Sequence, residues 1–522
     1  MPRGSVTTQQ GVPSIGIAYL ASSLEKNGHE TSVVDAFGEA IDQFTAIRDT
    51  NLLINGLTAD EIVDRIPANT DIIGVSCMYS NEWIYSKDVI RKIIEAFPAT
   101  PVIGGGEHFT AEPEYSYRSC PGLHSVVLGE GEETLAALVD AIIENRPLDS
   151  VNGIAFRRNG EIVRTPPHPR IRQIDEIPIP SWDGMPLESY LDKGLGMSSV
   201  RGRNMPMLAS RGCPYACTFC SNPMMWTQRW ISREPKLVLR EMKRWIDLYA
   251  VNHIEFYDLT AIVKRDWIIE FSKLLIEANL GVTWALPSGT RSEALDGEVL
   301  EALKASGCHS LTYAPESGSP ATLKRIKKKV KLPKMIASMR SAVEEGIWIK
   351  ANMIVGFPGQ TKKEVWESFL FMVEMAWVGI QDVAVFPFVP YPGSELFRQL
   401  LDEGRIDRSD PDYENFLAGN VYNEVSGMLS WSEHLSHRQT KFLTVGGMAW
   451  FYGWQFLFRP WRLLGTIKRI ASGQPQTMFD MAVSGLLQNF VTKRRKLRIR
   501  GTESVDGSKE IRPRPSFLEA RP

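Results

Sequence analysis

Residues 213–220 read Cys213-Pro-Tyr-Ala-Cys217-Thr-Phe-Cys220. The three cysteines are four and three positions apart, so one short loop can point all three thiols at a single centre. Thiolates are soft ligands that favour iron–sulfur clusters or zinc. A cubane iron–sulfur cluster with full thiolate ligation needs four cysteines, whereas this loop supplies three. The spacing therefore predicts a cluster with one open iron, at which a substrate or a cofactor can bind.

Two alternative uses of these cysteines are a structural zinc site with a distant fourth ligand and a disulfide framework. Structural zinc loops usually come as two short-spaced cysteine pairs, and this chain has one trio. Disulfide frameworks are typical of small secreted chains, whereas this chain has 522 residues and six cysteines. The other three cysteines stand singly and are expected to be small buried side chains: Cys77, Cys120 and Cys308.

The composition is that of an ordinary globular protein. The chain is 43% hydrophobic and 23% charged, and its length predicts about two to four domains. The net charge is −2, so no basic excess indicates a nucleic-acid partner. The first ten residues lack the apolar core of a signal peptide, which predicts a cytoplasmic, reducing location.

Short apolar strands alternate with amphipathic helices near the start of the chain, which predicts a doubly wound, mostly parallel α/β sheet. Ligands bind such sheets at the carboxyl ends of the strands. The predicted strands are 31–35, 71–76, 102–106 and 125–128, and the predicted helices are 15–26, 83–96 and 132–144. A hairpin with an Asn159-Gly160 turn and a proline-rich strap follow as a connector.

The strand–helix alternation returns between about 205 and 400. Six βα units are too few for a full eight-stranded barrel, so we expect a partial (β/α)6 barrel with a lateral opening. The predicted strands are 205–210, 253–257, 282–285, 310–314, 349–354 and 382–386, with helices at 235–249, 266–279, 296–306, 334–345 and 362–376. The predicted divisions are a sheet domain at 1–148, the connector at 149–200, the barrel at 201–420, a mainly helical region at 421–500 and a disordered tail at 501–522.

The cysteine loop, with Phe219 directly before the last cysteine, resembles the CxxxCxxC signature of the radical SAM enzymes. It follows an apolar strand, and barrel active sites lie at the carboxyl ends of strands. The resemblance implies a [4Fe–4S] cluster on Cys213, Cys217 and Cys220, with S-adenosylmethionine (SAM) on the open iron. It implies a 5′-deoxyadenosyl radical and an electron donor such as flavodoxin or ferredoxin.

Residues that follow the later barrel strands resemble the SAM contacts of the same family. Glu255 and Asp258 would contact the SAM amino group, although the common Gly-Gly-Glu form is absent here. Arg291 could pair with the carboxylate as a bidentate donor. The predicted SAM-binding residues are Phe219, Glu255, Asp258, Arg291, Glu316, Ser317, Gly356 and Pro358. The basic run 324–331 is expected to be a solvated helix end rather than a phosphate site.

The ordered set Pro13–Ala21, Gly28-His-Glu, Val34-Asp35-Ala, Gly104-Gly105 and Gly129-Glu130-Gly131-Glu132 resembles the cobalamin-binding domain fused to many radical SAM enzymes. Phe37 stands where cobalt-ligating members have histidine, which implies a lower cobalt face without a protein imidazole. The strand that usually precedes the Pro13 motif is not evident in the sequence. The predicted cobalamin-binding residues are Asp35, Ser76, Tyr79, Gly104, Gly105, Gly106, His108, Gly129, Glu130 and Gly131.

The overall layout resembles the branch with the anaerobic magnesium-protoporphyrin monomethyl ester cyclase and many methyltransferases. The first hypothesis is a cobalamin-dependent methyltransferase that acts on unactivated carbon or phosphinate phosphorus of a small-molecule or lipid-like substrate. The second is an oxidative cyclase or other ring-forming radical enzyme without methyl transfer. The third, of another class, is a non-catalytic cobalamin-binding sensor.

Residues 442–458 form an uncharged run rich in tryptophan, tyrosine and phenylalanine, and 493–500 carry six positive charges. The run is shorter than the ~20 residues that a bilayer span needs, and its glycines weaken a helix. A buried core helix is one interpretation. The other is that 440–500 forms a peripheral anchor on the inner membrane face, since aromatic and basic residues favour that interface.

Overall fold

The computed structural model describes residues 11–47, 53–198, 200, 202–260, 262–290, 294–419, 429–485 and 487. Within them lie a five-stranded sheet near the amino terminus, a six-stranded sheet that follows it, and a helical region after residue 429. This arrangement confirms the predicted fold class, a doubly wound α/β domain followed by a partial (β/α)6 barrel and a small helical region.

The first sheet combines parallel strands with an antiparallel hairpin. Its order is β1 (Ile73–Ser76), β2 (Val102–Gly105), β3 (Ser125–Val127), β4 (Ile154–Arg158) and β5 (Glu161–Arg164). The first three strands are parallel, while β4 pairs antiparallel with β3 and β5 pairs antiparallel with β4. The hairpin that we expected in the connector therefore adds two strands to this sheet. The predicted helices are confirmed as α1 (Ile15–Lys26), α2 (Trp83–Ala96) and α3 (Glu132–Ile143).

The predicted strand at 31–35 is wrong, because these residues form no ladder in the structure. A strand needs a neighbour to take up its backbone hydrogen bonds. Among the described residues, β1 pairs only with β2 and is an edge strand of this sheet. Gly74 and Ser76 on β1 are exposed as a result.

The second sheet is parallel and follows the chain order, as a (β/α)6 barrel requires. Its strands are β6 (Asn204–Met207), β7 (His253–Phe256), β8 (Thr283–Thr290), β9 (Cys308–Glu316), β10 (Trp348–Val355) and β11 (Asp382–Pro387). Helices α4 (Pro235–Tyr249), α5 (Arg265–Ala278), α6 (Gly297–Ala305), α7 (Leu332–Glu344) and α8 (Lys362–Val378) connect the later strands. The predicted strand 205–210 ends at Met207, and Ser210–Arg211 pairs antiparallel with Ile231–Ser232 instead.

Shorter elements complete the described chain. The strands Phe44–Ala46 and Leu53–Asn55 form a separate hairpin. The short helices are Ala59–Val63, Glu107–Ala111, Pro113–Ser119, Leu187–Asp192, Asn222–Met225, Pro320–Arg325, Glu395–Asp402 and Tyr413–Gly419.

Two further helices, α9 (His437–Phe458) and α10 (Trp461–Ala471), follow the barrel. Helix α9 packs against α8 and β11, and its Phe451 and Tyr452 are buried in the barrel's core cluster. The Tyr452 hydroxyl donates to Asp382 at the start of β11. None of the helices among the described residues is long and apolar enough to cross a membrane. The basic run 493–500 and the predicted tail 501–522 lie outside the described residues.

Candidate functional site

The cysteine loop is held in place from both sides. Gly212 has a φ of 83°, and a Cβ on this residue would lie 2.2 Å from the Arg229 carbonyl oxygen, so only glycine fits. In the middle of the loop, the Thr218 amide donates to Ile326 O at 3.0 Å, and Thr218 O accepts from the Leu396 amide at 2.8 Å. The barrel therefore fixes the backbone that carries the three cysteines.

The three thiols of this loop lie together. Cys213, Cys217 and Cys220 form no disulfide and are partly exposed, whereas Cys77, Cys120 and Cys308 are buried as expected. Burial raises the pKa of Cys220 to about 12, and the adjacent Cys217 and Cys213 thiols act in the same direction. The Thr260 hydroxyl donates to Cys213 Sγ at 3.3 Å.

This donor set fits an iron–sulfur cluster better than one metal ion. In the described part of the chain, no three His, Cys, Asp or Glu side chains are close enough to hold a single ion. A cubane cluster is bound through separate irons, so its thiolates need not converge on one point. The three cysteines would hold such a cluster, which supplies an electron to SAM.

Asp258, predicted to contact SAM, supports the cysteine loop. Its carboxylate accepts the Ala209 amide at 3.0 Å and the Ser210 hydroxyl at 2.5 Å. Burial raises the pKa of Asp258 to about 6, and the hydrogen bonds from Ser210 and Ala209 oppose this shift. These contacts tie the end of β7 to the segment that leads into the cysteines.

Glu255 is likewise satisfied by its own chain. The buried carboxylate accepts the Met197 amide at 2.7 Å, the Ser198 amide at 2.8 Å and the Tyr257 hydroxyl at 3.0 Å. It holds the segment before β6 against β7. A contact with SAM stays a prediction for both acidic residues.

The end of β9 carries an unusual backbone conformation. Glu316 has a φ of 64°, in the left-handed region that residues other than glycine rarely adopt, and such strain is common at functional sites. Its carboxylate pairs with Lys328 Nζ at 2.9 Å. Lys328 belongs to the basic run that we expected to be solvated, so the sequence missed this buried pair. Ser317 hydrogen-bonds Ser368 on α8 at 3.0 Å between hydroxyl oxygens, which fixes the following turn.

Phe219 lies next to the loop after β10; both were predicted to bind SAM, and that role stays a prediction. The centroid of the Phe219 ring lies 5.6 Å from that of buried Phe357, which stands between Gly356 and Pro358 in the sequence. Gly356 has a φ of 91°, and its amide donates to Gln360 Oε1 at 2.7 Å. Arg291 lies outside the described residues.

The three consecutive glycines at the end of β2, Gly104 to Gly106, have different roles. A Cβ on Gly104 would lie 2.4 Å from the Phe109 ring, and one on Gly106 would lie 2.6 Å from Cys77 O. These two glycines therefore allow internal packing. A Cβ on Gly105, or on Gly74 of neighbouring β1, would meet no atom within 4 Å. Gly74 and Gly105 thus leave open space beside these two strands.

His108 is buried beside this surface. Its ring stacks on Trp83 with centroids 4.3 Å apart, and its Nδ1 hydrogen-bonds Ser80 Oγ at 2.9 Å. Burial lowers the pKa of His108 to about 3, which keeps the ring neutral. Tyr79, from the adjacent loop, is exposed.

Two of the acidic residues predicted to bind cobalamin have protein partners. Asp35 accepts the Tyr190 hydroxyl at 2.7 Å and the Gly38 amide at 3.0 Å. Glu130 forms ion pairs with Arg170 and Arg211. The flanking glycines pack locally, since the Gly129 amide donates to Thr110 Oγ1 at 3.0 Å and a Cβ on Gly131 would lie 2.8 Å from Leu20.

The two candidate cofactor surfaces meet at one junction. Glu107, directly after the three glycines, lies near Ser221; burial raises the pKa of Glu107, and Ser221 opposes this shift. On the same short helix as Glu107, the Thr110 hydroxyl donates to Met225 Sδ, on the helix after the cysteines, at 3.6 Å. Burial likewise raises the pKa of Tyr257, and the nearby Glu255 and Tyr79 add to this shift. The sequence missed Glu107, although its place at the carboxyl end of β2 could have indicated it.

Large apolar side chains remain exposed on the loops around this junction. Met78 and Tyr79 follow β1, Met224 follows the cysteines and Leu259 follows β7, and each is at least 40% exposed. Such side chains can cover an apolar ligand and exclude water from it.

Comparison with known proteins gives independent evidence on both domains. The family model of the radical SAM superfamily matches residues 207–372, and that of the B12 binding domain matches residues 5–139. An uncharacterized methyltransferase of Pyrococcus horikoshii is 31% identical over 74% of this chain and 78% of its own length. The cytidylyl-2-hydroxyethylphosphonate methyltransferase of Streptomyces wedmorensis is 28% identical over 80% of this chain and 83% of its own.

A third relative is the anaerobic magnesium-protoporphyrin IX monomethyl ester cyclase of Cereibacter sphaeroides, 25% identical over 91% of this chain and 74% of its own. Among solved structures, the radical SAM methyltransferase TsrM of Kitasatospora setae, with cobalamin and a [4Fe–4S] cluster, has a TM-score of 0.61 at 16% identity. That match covers 86% of this chain and 87% of TsrM, and it shows the shared fold. The chain therefore belongs to the cobalamin-dependent radical SAM enzymes, whose cofactors are a [4Fe–4S] cluster, SAM and cobalamin.

Proposed function

We propose that this enzyme is a methyltransferase that methylates an unactivated carbon of a small, apolar or lipid-like substrate. The observation that carries the proposal is the contact between the short helix Glu107–Ala111, which begins beside the open Gly74–Gly105 surface, and the helix Asn222–Met225, which follows Cys220. Here the Thr110 hydroxyl donates to Met225 Sδ at 3.6 Å. The two candidate cofactor surfaces are therefore adjacent. When bound, SAM and the cluster supply a 5′-deoxyadenosyl radical that abstracts hydrogen, and cobalamin supplies the methyl group.

The chain's own residues would bind and position these groups. Cys213, Cys217 and Cys220 would hold the cluster, and Phe219 with the loop Gly356–Pro358 would bound the SAM site. Gly74 and Gly105 would face the corrin ring, with Phe37 in place of an imidazole ligand. The exposed Met78, Tyr79, Met224 and Leu259 would exclude water from the substrate. Flavodoxin or ferredoxin is the electron donor that we propose.

A second candidate is an oxidative cyclase that transfers no methyl group. The coverage of 91% of this chain by the match to the Cereibacter sphaeroides cyclase supports this alternative. The hypothesis of a non-catalytic cobalamin sensor is set aside, because the chain belongs to a family of enzymes and keeps the complete cysteine trio.

A test of methyl transfer does not require the substrate. Protein reconstituted anaerobically with iron, sulfide and cobalamin is given a low-potential reductant and SAM labelled with ¹³C in its methyl group. We expect labelled methylcobalamin and an equal amount of S-adenosylhomocysteine by mass spectrometry. If SAM is cleaved only to 5′-deoxyadenosine and no labelled methylcobalamin forms, the methyltransferase proposal is wrong and the cyclase is favoured.

A further inference from the structure

Three neighbouring helices share an apolar outer surface. Their side chains Trp366 and Trp377 on α8, Phe442 and Leu457 on α9, and Trp461 and Leu464 on α10 are between 51% and 74% exposed. We call these six residues the aromatic face. In each helix the two positions are close to a whole number of turns apart, so they lie on the same side.

Contacts between the helices make this one surface. Rings join α8 to α9, with centroids 5.6 Å apart for Trp366 and Trp450 and 5.1 Å apart for Trp377 and Phe458. Arg459, between α9 and α10, donates to Ala376 O at 2.8 Å and so caps the end of α8. Single exposed apolar residues are normal, but a contiguous group of this kind marks an interaction site.

The charge of the segment that contains α9 and α10 indicates which kind of partner binds the aromatic face. Between Glu433 and Asp480 the chain has no acidic residue and six lysines or arginines, although its overall net charge is −2. Arg438, Lys441 and Lys468 in this stretch are exposed. Helix α8, which carries two tryptophans of the face, has exposed Lys362 and Lys363 as well as exposed Glu374, so the basic excess lies on α9 and α10. Tryptophans beside such a basic stretch match the interface of an anionic bilayer.

We propose that the aromatic face docks on the surface of a bilayer that contains anionic lipid. This proposal does not depend on which reaction the enzyme catalyses. It adds α8 to the segment 440–500 that the sequence indicated as a membrane anchor. None of the helices in the described part of the chain is long and apolar enough to span a membrane, so α9 and α10 would lie in the plane of the interface. The inner side of α9, with Phe451 and Tyr452, stays packed on the barrel.

Point variants test this better than truncation, because removing α9 would expose the barrel core. The test variant is Trp461→Glu with Leu464→Glu. The matched control is Leu248→Glu with Ile276→Glu, which changes two exposed residues on α4 and α5, outside the face. A third variant, Lys441→Glu with Lys468→Glu, tests the charge. Circular dichroism and iron content verify that each holoprotein is folded.

The experiment is co-sedimentation of the full chain with vesicles of phosphatidylcholine, with and without phosphatidylglycerol. We expect the wild type and the control to sediment with the anionic vesicles only. The face variant should bind about tenfold more weakly, and the lysine variant should lose the response to phosphatidylglycerol. The proposal is overturned if the wild type stays in the supernatant with both vesicles, or if the control loses binding equally. It is also overturned if the face variant turns a wild-type oligomer into a monomer on gel filtration without changing vesicle binding, because the face would then bind protein.

Discussion

Arg211 and Glu132 form a buried ion pair, with 2.5 Å between Arg211 Nη2 and Glu132 Oε1. Arg211 lies two residues before the first cysteine of the cluster loop, and Glu132 begins α3 of the amino-terminal domain. Arg211 also contacts Glu130 at 3.4 Å. The acidic residues of the Gly-Glu-Gly-Glu motif therefore connect the cobalamin-binding domain to the cysteine loop.

We expect Glu132→Gln to destabilise the protein by about 1–3 kcal/mol, because it leaves a buried guanidinium with only part of its counter-charge. Iron content after reconstitution should fall at the same time, since Arg211 leads directly into the cluster loop. Glu133→Gln, which changes the exposed neighbour, is the control. Urea unfolding and iron analysis measure both effects. Equal behaviour of the two variants would show that the ion pair does not support the loop.

Cys217→Ala should remove the absorption at ~400 nm that thiolate-bound iron–sulfur clusters show, and it should abolish SAM cleavage. The control is Cys308→Ala, because Cys308 is buried in the barrel core away from the loop. The measurements are the visible spectrum and the yield of 5′-deoxyadenosine. Full SAM cleavage by Cys217→Ala would contradict the cluster assignment.

Gly105→Val should weaken cobalamin uptake while the protein stays folded, because a Cβ there would meet no protein atom within 4 Å and the side chain would project into the open space. We expect at least about a tenfold loss of affinity, since a large flat ligand needs close approach to the backbone. Gly297→Ala, at another open glycine, should bind normally. Cobalamin retained after gel filtration is the measurement. Normal retention by Gly105→Val would move the cofactor away from this surface.

The Co(II) form of bound cobalamin should show no nitrogen superhyperfine splitting from a lower axial ligand in its electron paramagnetic resonance spectrum. The reason is that Phe37, which has no ligating atom, occupies the position of the usual histidine. His108, the buried histidine nearby, is held by Trp83 and Ser80. Clear nitrogen splitting would contradict the absence of a nitrogen ligand on the lower face of the cobalt.

Acid should destabilise the protein partly through His108. Burial lowers its pKa in the folded state to about 3, below the usual histidine pKa of 6.5, so only the unfolded chain takes up a proton between these values. Stability is therefore full above pH ~6.5 and falls below it, by about 2 kcal/mol at pH 5 from this group. His108→Gln should flatten the fall in the free energy of unfolding between pH 7 and 5, whereas His434→Gln, at an exposed position, should not. Parallel curves for wild type and His108→Gln would contradict this.

The sequence predicted the elements that local pattern determines. The strand predicted at 253–257 is found at His253–Phe256, and the helix predicted at 15–26 is found with the same bounds. The pairing of strands that are distant in the sequence was predicted less well from local pattern. The 31–35 segment has the pattern of a strand but pairs with no strand among the described residues, and the hairpin at 154–164 joins a sheet that its local sequence does not specify.

The same limit applies to the site. Cysteine spacing is a local property, and the structure brings those three thiols together. The partner of Glu316, Lys328, is set by how the connection after β9 folds back, and the partner of Glu130, Arg211, by how two domains pack. Several carboxylates that the sequence predicted to bind ligands are therefore also used by the protein to hold its own segments together.

Helix α9 belongs at once to the barrel and to the aromatic face, since its Tyr452 binds Asp382 on β11 while its Phe442 is exposed. The barrel cannot unfold without displacing this helix. A surface that binds only the folded form raises the free energy of unfolding by RT ln(1 + [L]/Kd), or ~2.7 kcal/mol at a hundredfold excess over Kd. A bilayer that binds α9 would therefore stabilise the folded barrel as a ligand does, and anionic vesicles would raise the melting temperature of the barrel.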